Sequence, residues 1–428
     1  MTSSATMTSS PIWHPFTQHG LQPEMIPVRS ARGAWLKTPA GELILDAISS
    51  WWVVTHGHCH PRIVGAIEEQ ARRLDQVIFA GFTHAPAEML ARGLIDISPE
   101  GLAHVFFSDS GSTSVEVALK MALGYFRNIG APRRRIVALE HGYHGDTIGG
   151  MSVGARGIFS AAYEPLLFEV ERIPFPSPGN EQATIEAFDA ACANEPTAAL
   201  IVEPLVLGAG GMLIYDARVL QELERIARHH GALFIADEVM TGWGRTGSLF
   251  ASVKAGVTPD ILCLAKGITG GSMPLAVTLC TSEIFEAHRS SDRSKTFFHS
   301  SSYTANPIAC AAAVANLEIL REEPVLDKIA ALTLAQEERL GALRSHPAFS
   351  DARQIGTITA LDLKVSDAGY LASAGLQLMQ RFLERGVLLR PLGNTIYVMP
   401  PYCITPDELD LVYAAIAEAP GALAGESL

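Results

Sequence analysis

The chain lacks the excess of positive charge that nucleic acids and anionic membrane surfaces attract. Its 428 residues include 32 Lys and Arg against 45 Asp and Glu, so the formal net charge at pH 7 is −13. Because phosphate backbones and acidic headgroups bind clusters of cationic side chains, we expect neither nucleic acid nor a membrane as a partner.

Cysteines are few, and long apolar runs are missing. The six cysteines include no Cys-x-x-Cys spacing, and no run reaches the roughly eighteen apolar residues that a membrane span requires. The first residues, MTSSATMTSSPIW, lack the basic and apolar regions of an export signal. We therefore expect a cytoplasmic chain without a disulfide framework.

Short apolar segments alternate with helical patterns from about residue 60 onward. The buried strands expected from this pattern are HVFFS, RRIVALE, AALIVEP, ALFIADEV and DILCLAKG. Strands that are apolar throughout and separated by helices predict an α/β fold with a mostly parallel central sheet. We assign residues 61–320 to one large domain. A small α+β domain is expected at 321–428, with the N-terminal segment 1–60, which contains a hairpin at 33–46, packed against it.

Three patterns suggest other chemistries, and each lacks the context it needs. Residues 242–247 fit a dinucleotide fingerprint, but two carboxylates precede them and the bulky Trp243 stands among them. Residues 150–154 fit a nucleophile elbow without an apolar strand leading into it. Three histidines at 56–60 alternate as metal ligands do, yet no second ligand set follows, so we interpret them as a polar turn and expect no metal site.

Lysine is also scarce, and one lysine stands in an unusual place. Of the seven lysines, Lys266 ends the apolar run ILCLA and begins the segment KGITGGSMP. Loss of hydration at the end of a buried strand lowers the pKa of a lysine from about 10.4 and frees its lone pair to attack an aldehyde. A strand-end lysine whose amine reaches solvent explains the same position equally well.

Three further groups follow the ends of predicted strands. Asp237 ends ALFIAD and needs a cationic partner, either a protonated pyridine nitrogen or a structural ion pair. Residues 110–113, Ser-Gly-Ser-Thr, precede a helical pattern, where hydroxyls and free N–H groups bind a phosphate or simply cap the helix. Tyr143 follows IVALE and either stacks on a flat ring or belongs to the core. Together with Lys266, these groups indicate pyridoxal 5′-phosphate as the cofactor.

The segments that carry these groups are IADEVMTGWGRTG, LCLAKGITGGSMPLA and SDSGSTSVEVALKMA. Over nearly its whole length the chain resembles the class III aminotransferases, pyridoxal-phosphate enzymes of fold type I. The resemblance implies that Lys266 binds the cofactor covalently, that Asp237 pairs with the pyridine nitrogen and that Tyr143 stacks on the ring. The other cofactor contacts it implies are Ser110, Gly111, Ser112, Val239 and, from the neighbouring subunit of a homodimer with shared active sites, Ser302.

Four further segments resemble the branch of this family that acts in biotin synthesis: IWHPFTQ, SSWWVVTHG, HGYHGDT and RPLGNTIYVMPPY. That resemblance implies 8-amino-7-oxononanoate as the amino acceptor and S-adenosylmethionine as the expected donor. Arg390 would bind the carboxylate of the acceptor, and Glu203 matches a glutamate near the substrate. The residues expected to contact substrate are Phe16, Trp51, Trp52, Tyr143, Asp146, Arg390 and Tyr397.

Two positions depart from the pattern of this branch. Phe16 stands where several members carry tyrosine, and Ser300–Ser302 stand where Gly-Pro-Thr is common. These departures leave the amino donor open. The alternatives are another class III enzyme, such as an ω-amino acid:pyruvate aminotransferase, and a non-enzymatic α/β protein that uses the same phosphate turn; Trp51, Trp52 and Arg390 argue against the first, and Lys266 against the second.

Overall fold

The computed structural model describes residues 10–22, 24–365 and 373–424, and in these ranges the chain forms 16 strands and 13 α-helices. The strands are β1 (Ser30–Arg32), β2 (Trp35–Lys37), β3 (Leu43–Asp46), β4 (Leu102–Ser108), β5 (Arg135–Leu139), β6 (Glu171–Ile173), β7 (Thr197–Val202), β8 (Val206–Leu207), β9 (Leu213–Ile214), β10 (Leu233–Asp237), β11 (Ile261–Leu264), β12 (Ala276–Thr281), β13 (Phe349–Ile355), β14 (Ile358–Leu363), β15 (Val387–Leu388) and β16 (Thr395–Val398). The helices are α1 (Ser49–Trp52), α2 (Pro61–Arg73), α3 (Ala85–Ile97), α4 (Gly111–Asn128), α5 (Ile148–Val153), α6 (Glu181–Asn194), α7 (Ala217–His230), α8 (Ala251–Ala255), α9 (Ser282–His288), α10 (Pro307–Glu322), α11 (Val325–Arg344), α12 (Ser373–Glu384) and α13 (Pro406–Ala424).

A seven-stranded sheet with the order β4-β12-β11-β10-β7-β5-β6 forms the centre of the fold. Only β12 runs antiparallel to its neighbours, and the other pairings described in this sheet are parallel. Alternate residues of β7 face two separate apolar cores, with Leu200 and Val202 on one side and Ala199 and Ile201 on the other. Both faces are therefore covered, which explains why the strands are apolar throughout. The α/β fold of type I is confirmed.

All five predicted strands belong to this sheet, whereas β6 and β12 were not among them. The segment of β12, AVTLCT, contains two threonines but is buried over most of its length. Residues 276–281 follow the predicted strand β11 after a short 3₁₀ turn and a glycine-rich segment, without an α-helix between them. A prediction based on the alternation of helices and strands therefore does not detect this antiparallel strand.

The two chain ends meet in smaller sheets. The predicted hairpin forms β2 and β3, and β3 pairs in parallel with β15 from the C-terminal part. Strands β13, β14 and β16 form a separate antiparallel sheet. The domain boundaries at residues 60 and 320 stay a prediction, and residues 1–9, 23, 366–372 and 425–428 of the predicted end segments lie outside the described residues. No helix in the described ranges is both long and apolar enough to cross a membrane.

Candidate active site

The carboxyl ends of β10 and β11 bring two predicted residues to one edge of the central sheet. These strands are parallel neighbours in which Asp237 pairs with Cys263, and Lys266 begins a short 3₁₀ turn two residues beyond β11. Open α/β sheets bind their ligands at this edge. Asp237 and Lys266 therefore line the same cavity, because the adjacent strands β10 and β11 end at the same edge of the sheet.

Asp237 is buried and held by two hydrogen bonds. Its Oδ2 lies 2.7 Å from Nδ1 of the buried His144, and its Oδ1 accepts from the backbone N–H of Val239 at 3.1 Å. A buried carboxylate is costly without such partners. Sequence reasoning missed His144, although it stands beside Tyr143 after the strand β5; the strand-end position of both residues was the available signal.

Lys266 lies in a site that removes most of its hydration. Desolvation lowers the pKa of Lys266, while the nearby carboxylates Asp237 and Glu203 act in the opposite direction. Its Nζ lies 5.3 Å from the ring centroid of Trp52. A lysine with a lowered pKa has more of its amine neutral, which is the form that attacks a carbonyl or accepts a proton.

Glu203 supports the loop that carries Tyr143. Its Oε1 accepts from the Tyr143 N–H and its Oε2 from the Gly208 N–H, both at 2.9 Å. Burial raises the pKa of Glu203 to about 7. Burial also raises the pKa of Tyr143, and the nearby Asp146 carboxylate raises it further, so the phenol stays protonated.

The start of α4 supplies a group of backbone donors. Ser110 caps the helix in a reciprocal pair with Thr113, in which each side chain accepts from the backbone N–H of the other. The following N–H groups, at Gly111 and Ser112, belong to the first turn, which has no intrahelical acceptors. A Cβ atom at Gly111 would lie 2.6 Å from Cγ1 of Val239, so this position needs glycine. The helix start can therefore bind an anion.

Apart from Ser110 and its capping partner Thr113, these groups line one cavity, and their chemistry fits pyridoxal 5′-phosphate. An amine with a lowered pKa suits its aldehyde, a buried carboxylate suits a protonated pyridine nitrogen, and the helix start suits its phosphate. The residues that line this cavity are Trp52, Gly111, Ser112, Tyr143, His144, Gly145, Glu203, Asp237, Val239, Met240 and Lys266.

A second cavity, of about 400 Å³, opens from the same place and shares Trp52, Tyr143 and Lys266 with the first. It brings together all seven residues expected to contact substrate: Phe16, Trp51, Trp52, Tyr143, Asp146, Arg390 and Tyr397. Phe159 also lines it. Sequence reasoning missed Phe159 because it lies in an irregular segment with no pattern that marks a site.

The walls of this second cavity, called the substrate cavity after that expectation, are held by contacts between distant parts of the chain. The Nε1–H of Trp52 donates to the hydroxyl of Tyr397 at 2.9 Å. Arg390 lies over the ring of Trp51, with 5.5 Å between the guanidinium carbon and the ring centroid, and its Nη2 donates to the Phe16 carbonyl at 2.9 Å. One apolar cavity thus contains a guanidinium with further N–H donors.

Ser302 lies apart from both cavities. Its carbonyl accepts from Gln76 at 2.6 Å, and its side chain is exposed. The expected contact belongs to the phosphate of a neighbouring subunit, so it stays a prediction.

The three competing patterns do not form the sites that they suggest. Residues 242–247 form turns without a helix start, and the Ser152 hydroxyl lies inside α5 and donates to the Ile148 carbonyl at 2.7 Å. Among the described residues, no group of three or more His, Cys, Asp or Glu side chains is arranged to hold a metal ion. The histidines at 56–60 instead contact three different partners, which are Asn316, Asp46 and Glu323.

Comparison with known proteins agrees with this geometry. The family model described as class-III aminotransferase matches residues 16–419. The adenosylmethionine-8-amino-7-oxononanoate aminotransferase of Synechococcus elongatus is 49% identical over 421 residues, which cover 96% of this chain and 99% of that protein. The enzyme of the same name from Mycobacterium leprae is 39% identical, with coverage of 96% and 95%.

Two solved structures are similar over nearly the full length. The adenosylmethionine-8-amino-7-oxononanoate aminotransferase of Methanocaldococcus jannaschii gives a TM-score of 0.91 at 34% identity and covers 95% of this chain and 97% of its own. An amine transaminase from an uncultivated Pseudomonas species, in its PLP-bound form, gives 0.90 at 33% identity, with coverage of 96% and 98%. Similarity of the backbone therefore extends across transaminases whose names differ in substrate.

Proposed function

The chain belongs to the class III aminotransferases, and we propose that it transfers an amino group to the ketone of 8-amino-7-oxononanoate, which yields 7,8-diaminononanoate. S-adenosylmethionine is the proposed donor. Pyridoxal 5′-phosphate is the cofactor of this aminotransferase. The names of the most similar relatives support the proposed substrates.

The substrate cavity carries this proposal. Its walls are mainly aromatic and apolar, and its polar groups include the guanidinium of Arg390 and the amine of Lys266. A nine-carbon acceptor that is polar only toward its two ends suits such a cavity, since its carboxylate can bind the guanidinium while its chain contacts the aromatic rings.

Lys266 performs the proton transfers in the proposed mechanism. When bound, pyridoxal 5′-phosphate supplies an aldehyde for covalent attachment and an electron sink for the amino-bearing carbon. The Nζ atom of Lys266 takes a proton from that carbon of the donor and later returns a proton to the former ketone carbon of the acceptor. The lowered pKa of Lys266 suits both directions of transfer.

The remaining residues of the cofactor cavity are proposed to hold and orient the cofactor. Asp237, fixed by His144, would accept a hydrogen bond from the pyridine N–H, and its charge would stabilise the protonated ring nitrogen. The start of α4, at residues 110–112, would hold the phosphate, and Tyr143 and Val239 would hold the ring. The aromatic walls exclude water while the proton moves.

Arg390 and the two tryptophans select the acceptor. The guanidinium already points into the cavity, because Phe16 accepts one of its N–H groups and Trp51 packs against it. Trp52 is fixed by Tyr397 and borders both cavities. The alternative, another class III activity such as ω-amino acid:pyruvate transfer, requires no long apolar wall beside this arginine.

The chain is further proposed to act as a homodimer in the cytoplasm. Large apolar side chains lie on its surface, with Trp13 91% exposed and with Phe298 and Tyr303 exposed on either side of Ser302. Large apolar side chains exposed in this way support association, and a partner seated on Phe298 and Tyr303 would cover the serine segment. All six cysteines are unpaired, which supports a reducing compartment.

One incubation tests the proposed reaction. Purified protein loaded with pyridoxal 5′-phosphate is mixed with 8-amino-7-oxononanoate and, in turn, S-adenosylmethionine, lysine or alanine, and 7,8-diaminononanoate is measured by mass spectrometry. We expect the diamine with S-adenosylmethionine. A parallel incubation with an ω-amino acid and pyruvate is the comparison: formation of alanine there, with no diamine from any donor in the first, would support the alternative activity instead.

A further inference from the structure

The first of the three clustered histidines contacts a buried amide next to Lys266. Nε2 of His56 lies 2.8 Å from Oδ1 of Asn316, which is buried in α10. The Nδ2 group of Asn316 donates to the carbonyls of Gly267 and Ile268, both at 3.0 Å. A continuous chain of hydrogen bonds therefore runs from the histidine segment to the backbone immediately after the lysine.

That backbone is strained and tightly enclosed. Lys266 has a φ of +47°, in the left-handed region that residues with a Cβ atom rarely adopt. A Cβ atom at Gly267 would lie 2.8 Å from the Cβ of Trp243, so the turn has no room on that side. Strained conformations persist only where their surroundings hold them, and the two bonds from Asn316 are polar contacts that hold this one.

Building on the role proposed above for Lys266, we propose that His56 and Asn316 are positioning residues for it. Asn316 fixes the carbonyls of the turn, so that the Lys266 side chain leaves the backbone in the direction of the cofactor cavity. His56 fixes the amide of Asn316 in the orientation that allows both of its donors to reach those carbonyls.

The directions of the hydrogen bonds determine the form of His56. Because Nδ2 of Asn316 donates twice, its Oδ1 must accept, and Nε2 of His56 must carry the proton. Burial lowers the pKa of His56 to about 4, against the effect of its bond to Asn316, and the charged or titratable neighbours are His60, Glu323 and Lys328. The ring is therefore neutral near pH 7, and its single N–H points to Asn316.

Two variants at residue 56 separate positioning from general structure. His56→Leu removes the donor, whereas His56→Gln places an amide N–H at a similar reach and keeps it. His60→Gln is the matched control, since His60 belongs to the same segment but meets Glu323 at 3.8 Å and makes no described bond to Asn316. Asn316→Leu removes both donors to the lysine turn.

Three measurements are made on each full-length protein. They are the pH midpoint of the visible absorption of the bound cofactor, the rate at which cofactor-free protein captures pyridoxal 5′-phosphate without substrate, and kcat. For His56→Leu and Asn316→Leu we expect a displaced midpoint, slower capture and a kcat lowered by roughly tenfold or more, since small displacements of a reacting group have such effects. His56→Gln should restore all three, and His60→Gln should match the unaltered protein.

The outcomes distinguish this inference from the proposed function. If folded His56→Leu keeps the unaltered midpoint, capture rate and kcat, or if His56→Gln fails to restore them, the positioning role is wrong. If Asn316→Leu does not fold, the two variants at residue 56 still decide. If Lys266→Ala retains the covalent absorption band, the assignment of Lys266 itself fails, whatever His56 does.

Discussion

Two parts of the site hold residues with Cβ atoms at positive φ, and they are supported by different chemistry. The lysine turn, Lys266–Thr269, begins at φ +47° and is held by the neutral amide of Asn316. The tryptophan turn, Ser49–Trp52, has φ values of +54°, +62° and +66° at its first, second and fourth residues, and the buried carboxylate of Asp46 holds it.

The difference between the two supporting groups follows from whether the turn contains a titrating side chain. A neutral amide adds no charge beside Lys266, whereas a carboxylate there would raise the pKa of the lysine. The tryptophan turn carries no titrating group, so a carboxylate can accept from the N–H groups of Ile48 and Ser50 at 3.2 and 2.6 Å. Changes at the lysine turn should therefore alter the pKa of Lys266 and the binding of the cofactor. Changes at the tryptophan turn should alter the KM for the acceptor.

Arg245 provides the cationic counterpart on the tryptophan side. Its buried guanidinium donates to the Val54 carbonyl at 2.9 Å and to the Pro400 carbonyl at 2.8 Å. Burial lowers the pKa of Arg245, while Tyr402 and Asp46 oppose that shift. The positive charge of Arg245 also helps to lower the pKa of Lys266. Arg245, which contacts the chain beside the tryptophan turn, thus also favours the neutral form of the Lys266 amine in the lysine turn.

The largest effect is expected from Lys266→Ala. The rate of amino transfer should fall by at least about 10³-fold, because both covalent attachment and proton transfer lose their amine. Absorption spectra before and after borohydride reduction measure the first loss, and steady-state kinetics measure the second. Lys254→Ala is the control, since that lysine donates to the Thr246 carbonyl at 2.6 Å and lines neither cavity. A reducible cofactor band in Lys266→Ala would contradict the assignment.

Arg390→Ala should act on one half-reaction. Loss of a charge-assisted hydrogen bond of about 2 kcal/mol should raise the KM for 8-amino-7-oxononanoate by roughly 30-fold. Rapid-mixing absorbance follows the donor and acceptor half-reactions separately, and the donor half should change much less. Arg385→Ala is the matched control, because Arg385 pairs with Glu418 at the surface. Equal losses in both halves would argue against a carboxylate contact for Arg390.

Patterns in the sequence predicted more of the site around the lysine turn than around the tryptophan turn. Asp237 and Lys266 end apolar runs, and the carboxyl ends of parallel strands meet at one edge without further information. The supporting contacts are different, because His144 and Asp237 are 93 residues apart and Asn316 is 49 residues from Gly267. A pattern read within a short window cannot find such pairs.

The tryptophan side depends on partners even further apart. Trp52 and Tyr397 are separated by 345 residues, and Arg390 and Phe16 by 374. Only the family resemblance pointed to these residues, and the roles assigned to them stay predictions. Positive φ at Lys266 and Trp52 also leaves no trace in the sequence, since glycine, which usually marks such positions, is absent there.

Asp46→Asn should affect the tryptophan turn and the contact with His58, and leave the lysine turn unchanged. If the amide group replaces Oδ2, the N–H of Ser50 loses its acceptor, which costs about 1–3 kcal/mol for a buried donor. We expect less stability in thermal unfolding and a higher KM for the acceptor, with the pH midpoint of the cofactor absorption unchanged. Asp96→Asn, at an exposed pair with Arg321, is the control and should change neither. A displaced midpoint would show that the two turns are coupled.

Phe16→Tyr should give the smallest effect. It tests whether the wall of the substrate cavity accepts a polar hydroxyl group without loss of activity. The Phe16 ring is partly exposed and meets Trp51 and Phe159 edge-on, at centroid distances of 5.5 and 5.9 Å. A hydroxyl there adds at most one hydrogen bond to a substrate, worth about 1 kcal/mol, so KM for donor or acceptor should fall by no more than roughly fivefold. Competition between S-adenosylmethionine and lysine as donors measures which substrate gains. Phe168→Tyr, outside both cavities, is the control, and a large loss of activity in Phe16→Tyr would mean that this wall must remain apolar.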